Sequence, residues 1–126
     1  METQNKLTER TIDYGLAVIR YCGLLPQNYA GQHIADQLLR SSTSVAANYA
    51  EATEAESTAD FLHKLKISMK ELKESRVWLL FAARLSGSPD VSSLLDESME
   101  LIRMLGKSIA TASKRAQANT MKGAKR

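Results

Sequence analysis

The amino-acid sequence predicts an all-α fold, an antiparallel up-down-up-down four-helix bundle. Apolar residues recur at helical spacing along most of the chain, and turn-like residues are confined to three short connections. Only two prolines and six glycines occur, and aromatic residues make up 6% of the chain, so aliphatic side chains must fill the core. At 126 residues, the chain is long enough for one domain that buries roughly two-thirds of its unfolded surface.

The first two helices are predicted over about residues 8–24 and 30–53. One apolar face of the first consists of Ile12, Leu16, Ile19 and Gly23. Pro26 ends this helix, because proline disfavours helical backbone at the residue before it. Asn28 is the candidate cap of the second helix, whose apolar stripe is helical throughout and consists of Ile34, Leu38, Val45, Tyr49 and Ala52.

The third helix is predicted over about residues 58–86. Ser57 is its cap, and an acid three positions later, Asp60, resembles the second half of a capping box. The seam of this helix alternates spacings of four and three residues, and consists of Phe61, Leu65, Ser68, Leu72, Ser75, Leu79 and Ala82.

The fourth helix is predicted over about residues 89–117. Gly87 suits the left-handed position that ends the third helix, while Ser88 and Pro89 suit the cap and first turn of the fourth. Its apolar pattern is unbroken through Val91, Leu95, Ser98, Ile102, Leu105, Ile109, Ala112 and Ala116. Residues 118–126 lose this period, so they are expected to form a flexible basic tail outside the bundle of residues 1–117.

A polar stripe runs along the second helix beside the apolar one. Spacings of 4, 3, 4 and 3 place on one face Gln37, Ser41, Ser44, Asn48 and Glu51. A helix with both stripes is expected to contact the core on one side and either another subunit or a ligand on the other. We interpret the following residues as buried polar contacts that fix helix register or subunit packing: Gln37, Arg40, Ser44, Asn48, Glu51 and Glu74.

Basic residues are concentrated at the C-terminal end. The chain has a net charge of +3, yet residues 103–126 contain seven basic residues and no acid. Phosphate contacts from such residues would give salt-sensitive, sequence-independent binding. The candidate nucleic-acid-binding residues are Lys107, Lys114, Arg115, Lys122, Lys125 and Arg126, with Lys66, Lys70 and Lys73 on the third helix. The alternatives are a solvated face for the third-helix lysines, and a tail that aids solubility or complements the helix dipole.

No motif in the sequence indicates an enzyme, a cofactor or a metal site. His33 and His63 lack partners at a metal-ligand spacing, the serines lack a predicted base and oxyanion site, and the glycines form no phosphate loop. Cys22 is the only cysteine, so no internal disulfide can form, which fits a reducing cytosol. The absence of a signal core or a long apolar run predicts a cytoplasmic protein without membrane contact.

Three segments closely resemble the four helix bundle protein family, whose members include proteins encoded in intervening sequences of bacterial 23S ribosomal RNA genes. They are QLLRSSTSVAANYAEA (37–52), AES (55–57) and DFLHKLKISMKELKESRVWL (60–79). The resemblance covers about residues 30–85 well and the rest in outline. Members often have glycine where this chain has Ala46, and another common form has Ile and Gly in place of Tyr49 and Ala52.

The resemblance implies a homopentameric ring of four-helix protomers, without an assigned molecular activity. The accessory protein of diversity-generating retroelements is a related pentamer that binds nucleic acid and a reverse transcriptase. We therefore expect a non-enzymatic bacterial bundle that forms a ring and binds RNA or DNA in an accessory role. The alternative is a protein-interaction scaffold that docks a partner enzyme, such as a reverse transcriptase, without contacting nucleic acid itself.

Overall fold

In the computed structural model, which describes residues 2–124 and the side chains of residues 6–123, the chain is built from four α-helices. They are α1 (Glu2–Cys22), α2 (Tyr29–Thr53), α3 (Thr58–Arg84) and α4 (Ser92–Ala124). Each helix packs against the next, and α4 also packs against α1. The predicted all-α four-helix bundle is confirmed.

The core lies between the four apolar stripes. All five residues predicted for the apolar stripe of α2 are buried, and so is the predicted α3 seam from Leu65 to Ala82. Hydroxyl groups share this core with leucine. The Tyr14 hydroxyl lies 2.8 Å from Ser75 Oγ, which joins α1 to α3 across the bundle, and Ser68 Oγ donates to the Val45 carbonyl oxygen at 2.8 Å. These hydrogen bonds satisfy buried polar groups, which would destabilise the folded state if they had no partner.

The prediction of which face of α1 packs into the core is wrong. Ile12, Leu16 and Ile19 are between 42% and 47% exposed, and Gly23 is also exposed. The core receives a second stripe instead, which consists of Leu7, Thr11, Tyr14, Val18 and Tyr21. Both stripes have helical spacing, but the second carries two large aromatic rings whose hydroxyls find internal partners, so it buries more apolar area at little polar cost.

Two of the predicted helix caps are confirmed and one is wrong. The Asn28 side chain accepts a hydrogen bond from the Gly31 amide at 2.9 Å, and Ser57 accepts one from the Asp60 amide at 3.0 Å. Gly87 has the predicted left-handed backbone, with φ of +84°.

Ser88 does not cap α4. The helix begins at Ser92, where the Asp90 carboxylate accepts hydrogen bonds from the Ser92 amide and hydroxyl. Residues 88–91 are not helical because Val91 lies in the core and the Pro89 carbonyl accepts from the Tyr21 hydroxyl at 2.9 Å. These contacts anchor the connection, so the helix starts three residues later than predicted.

Two helices are longer than the sequence predicts. α1 begins at Glu2 rather than near residue 8, because no proline or glycine interrupts residues 2–7 and Leu7 reaches the core. α4 continues to Ala124, since the polar residues after 117 lose the apolar period without including a helix breaker before Gly123. Whether residues 118–126 are flexible stays a prediction, and residues 125 and 126 lie outside the described chain.

Candidate nucleic-acid interface and polar contacts

The basic residues of α4 share one face of that helix. At 3.6 residues per turn they lie within about 120° of the helix circumference, centred about 120° away from the buried residues Leu101, Leu105 and Ala112. All are exposed, and they are Arg103, Lys107, Lys114, Arg115 and Lys122. We call these five residues the α4 basic face. Its predicted extension, Lys125 and Arg126, lies outside the described residues.

Most of this face has no internal counter-charge. Arg103 pairs with Glu100 at 3.0 Å, but the other four cations form no ion pair within the described chain. Some cations elsewhere are paired across helices, as Arg10 is with Glu97 at 2.6 Å between α1 and α4. Because no acid follows Glu100 in the sequence, the positive charges of this face add to one another and favour a polyanion nearby.

The three candidate lysines of α3 form a second basic surface. Lys66, Lys70 and Lys73 are exposed and, among the residues that the structure describes, have no ion-pair partner. Lys66 lines a depression of about 520 Å³ together with α4 residues that include Gln117 and Thr120. This surface therefore lies beside α4. Lys64, which is close in sequence, pairs instead with Glu51 at 3.3 Å.

Three of the predicted polar contacts form a network between α2 and α3. Arg40 donates to Glu71 at 3.1 Å, to Glu74, and to the Gln37 side-chain oxygen at 3.3 Å. Glu74 also accepts from the indole nitrogen of Trp78 at 3.0 Å. The Arg40 side chain is 48% exposed, so the network lies on the surface of the single chain and orients the two helices from outside the core.

The other predicted polar contacts are local or exposed. Ser44 Oγ donates to the Arg40 carbonyl at 2.7 Å, Asn48 Nδ2 donates to the Ser44 carbonyl at 2.9 Å, and Glu51 pairs with Lys64. None of the six is fully buried within one chain, and their predicted role in subunit packing stays a prediction.

Two serines carry out the close packing on α2. Ser41 and Ser42 are fully buried, and a Cβ atom on Gly15 of α1 would lie 3.7 Å from the Ser42 carbonyl oxygen. Sequence reasoning placed Ser41 in the polar stripe but did not single out Ser42. The presence of small residues on both helices, Gly15 on α1 and Ser42 on α2, was the sequence feature that could have indicated this contact.

Two apolar surfaces remain exposed on different helices. The α1 patch consists of Ile12, Leu16 and Ile19, and Leu39 of α2 is also 44% exposed. The α3 patch consists of Val77, Leu80 and Phe81, which are 40–57% exposed, and Trp78 stacks against Phe81 with ring centroids 5.4 Å apart. Contiguous apolar surface of this kind is typical of an interaction site.

The side chains of His33 and Cys22 both make contacts within the bundle. His33 contacts the Trp78 ring edge-on, at a centroid distance of 5.6 Å. Cys22 Sγ donates to the Ala35 carbonyl, and burial raises the pKa of this thiol to about 11, so it is protonated at neutral pH. Across the described residues, no group of three or more His, Cys, Asp or Glu side chains could hold a metal ion.

Of the helices over residues 2–124, none has both the length and the apolar character needed to span a bilayer.

Comparison with known proteins identifies relatives of this bundle. A family model described as 23S rRNA-intervening sequence protein matches residues 3–107. A crystal structure of a protein of unknown function from the S23 ribosomal protein family of Bacteroides thetaiotaomicron is similar, with a TM-score of 0.78 and 27% sequence identity over 86% of this chain and 98% of that one. No curated protein matches the sequence. Neither description names a reaction.

Proposed function

This chain belongs to the 23S rRNA-intervening sequence protein family, and from that premise we propose that it is a non-enzymatic, homo-oligomeric bundle that binds RNA or DNA. The observation that carries the proposal is the α4 basic face. Four exposed cations, Lys107, Lys114, Arg115 and Lys122, have no internal ion pair among the described residues. They lie on α4 after Glu100, which is the last acidic residue in the sequence.

The proposed binding mode is contact with the phosphate backbone. Lysine and arginine side chains along one helix face can each contact a phosphate, and the counterions that these contacts release from the nucleic acid make affinity fall with salt. Such contacts position a nucleic acid but carry no base specificity. Lys66, Lys70 and Lys73 would widen the binding surface along α3, and Lys125 and Arg126 would lengthen it.

Self-association is the second part of the proposal. The α1 patch and the α3 patch are different surfaces of one chain, as a heterologous contact between identical subunits requires. Repeated contacts of this kind close into a ring when the rotation between neighbours allows it, and we propose a pentamer. Native mass spectrometry should return one oligomer, and Leu16→Glu or Leu80→Glu should dissociate it. A monomer at micromolar concentration for the wild-type chain would contradict the ring.

A matched pair of double variants tests the nucleic-acid contact. Lys107→Gln with Lys114→Gln removes two cations of the α4 basic face. Lys6→Gln with Arg20→Gln removes two exposed cations of α1 that form no ion pair among the described residues. By fluorescence anisotropy on a labelled RNA hairpin, the first variant should weaken binding and reduce the salt slope by about 1.5–2. Equal effects of both variants would show that net charge alone matters and would contradict a defined face.

The competing function is a scaffold that docks a partner enzyme, such as a reverse transcriptase, without touching nucleic acid. The α3 patch is the observation that favours it, because aromatic residues are common anchors of protein interfaces. Affinity capture from the source cell, with and without nuclease, separates the two functions. Partners that survive nuclease and are lost with Phe81→Ser would favour the scaffold, whereas partners lost after nuclease would favour nucleic-acid binding.

A further inference from the structure

One pocket on the α4 basic face is lined by polar groups that have no partner within the described chain. It has a volume of about 360 Å³ and lies where α4 passes the end of α2 and the start of α3. This is within the size range of small-molecule sites, roughly 300–1,000 Å³. The residues used below are Tyr49, Phe61, Lys107, Ser108, Thr111 and Arg115.

The cations of this pocket are exposed and pair with no acid in the part of the chain that the structure describes. They are Lys107 and Arg115, which lie two helical turns apart on α4. Ser108 and Thr111 between them form no hydrogen bond within the described chain, although helical hydroxyls elsewhere, such as Thr43 and Ser44, donate to carbonyl oxygens of the preceding turn. The pocket wall therefore presents charged and neutral donors together.

The Tyr49 hydroxyl adds another donor. The side chain is only 2% exposed and has no hydrogen-bond partner. Ser88 Oγ is the single fully buried side-chain polar atom without a partner among the described residues, so the Tyr49 hydroxyl must keep some exposure to solvent, and Tyr49 lines this pocket. Burial raises the pKa of Tyr49, and the hydroxyl accordingly keeps its proton at neutral pH.

A pocket with two cations, three hydroxyl groups and no acidic side chain favours an anion. The remaining wall is apolar, since the half-buried Phe61 and the buried Ala112 complete it. A phosphate and a planar aromatic base, whose faces stack on aromatic side chains, are the two parts of a nucleotide that such a pocket fits. Aromatic side chains beside basic ones are also how proteins hold unpaired bases.

We propose that this pocket receives one nucleotide of a single-stranded nucleic acid, an inference that rests on the proposed nucleic-acid binding. The phosphate contacts Lys107 and Arg115, with Ser108, Thr111 and Tyr49 as neutral donors, and the base lies against Phe61. A base can enter the pocket only when it is unstacked, so a strand or loop binds there and a continuous duplex does not. Duplex contacts are then limited to the cations of the α4 basic face.

Two variants with matched controls test the pocket in the full chain. Thr111→Val is nearly isosteric and exposed, and its control is Thr43→Val at an exposed position of α2. Phe61→Leu keeps apolar volume, and its control is Tyr29→Leu at the exposed start of α2. Affinity is measured by anisotropy for a labelled 12-nucleotide single strand and for a labelled blunt-ended duplex, which has no unpaired loop, with thermal melts to confirm folding.

The expected result is a loss confined to the single strand. Phe61→Leu should weaken binding of that strand about tenfold and Thr111→Val about threefold, while both controls and duplex binding stay unchanged. Equal losses for strand and duplex, or no loss for the pocket variants while wild-type binding persists, would overturn the pocket. Wild-type protein that binds neither probe at low salt would instead overturn the proposed function on which the pocket rests.

Discussion

The hydrogen bond between Tyr14 and Ser75 gives a quantitative test of the core. Ser75 Oγ donates its one proton to the Leu72 carbonyl at 2.7 Å, so the Tyr14 hydroxyl must be the donor in the 2.8 Å contact between them. Tyr14 is 1% exposed and Ser75 is fully buried. The two possible truncations are therefore unequal, because each leaves a different group without a partner.

Tyr14→Phe removes the donor and leaves Ser75 bonded to Leu72, so it should cost about 0.5–1.5 kcal/mol of unfolding free energy. Ser75→Ala leaves the buried Tyr14 hydroxyl without an acceptor and should cost about 1–3 kcal/mol. On the Tyr14→Phe background, Ser75→Ala should cost much less, because no donor remains to be satisfied. The assay is urea unfolding at one fixed protomer concentration, since association also affects stability. Additive costs in the double variant would refute the assigned donor.

The same pair predicts a dependence on alkaline pH. Burial raises the pKa of Tyr14 to about 12, from an ordinary value of 10.0. The folded state therefore holds this proton more tightly than the unfolded chain, and the resulting stability is fully present below pH 10 and lost between about pH 10 and 12, by about 2–3 kcal/mol. Tyr14→Phe lacks this loss, so the order of stability of the two proteins should reverse in that window. Parallel curves for the two proteins would contradict it.

Three further predictions concern other parts of the bundle. A Cβ atom on Gly31 would overlap the Pro26 carbonyl, so Gly31→Ala should lower unfolding free energy by about 1–3 kcal/mol, whereas Gly106→Ala, which meets only ordinary contacts, should not. Asn48→Leu removes the donor to the Ser44 carbonyl and should disturb assembly; an unchanged oligomer by light scattering would remove Asn48 from the interface. Cys22, with its raised pKa, should react with iodoacetamide roughly a hundredfold more slowly than in the unfolded chain.

The fold was predictable because local signals and global packing agree over most of the chain. The apolar stripe of α2 keeps one helical register from Ile34 to Ala52, and Asn28 and Ser57 are caps whose chemistry is local. α1 was predicted with the wrong face because it carries two apolar stripes of similar spacing. Choosing between them requires the distant partners of Tyr14 and Tyr21, which lie 61 and 68 residues away.

The candidate interface was predictable only in part, because it too depends on contacts between residues that are distant in the sequence. The concentration of cations after residue 103 is visible in the sequence, but which cations are neutralised depends on contacts between helices. Lys64 and Lys66 look alike in the sequence, yet only Lys64 pairs with an acid on α2. The pocket was missed entirely, since Tyr49, Phe61 and Thr111 meet only after α2, α3 and α4 have packed.

The salt dependence of nucleic-acid binding by the wild-type chain tests the central claim most directly. A labelled RNA hairpin is titrated with the full-length protein at several salt concentrations between about 50 and 200 mM, and the logarithm of the binding constant is plotted against that of the salt concentration. Four unpaired cations on α4 predict a slope of about −3 to −4 for each protomer that binds. A slope near zero, or no binding at the lowest salt concentration, would contradict the claim that the α4 basic face binds nucleic acid.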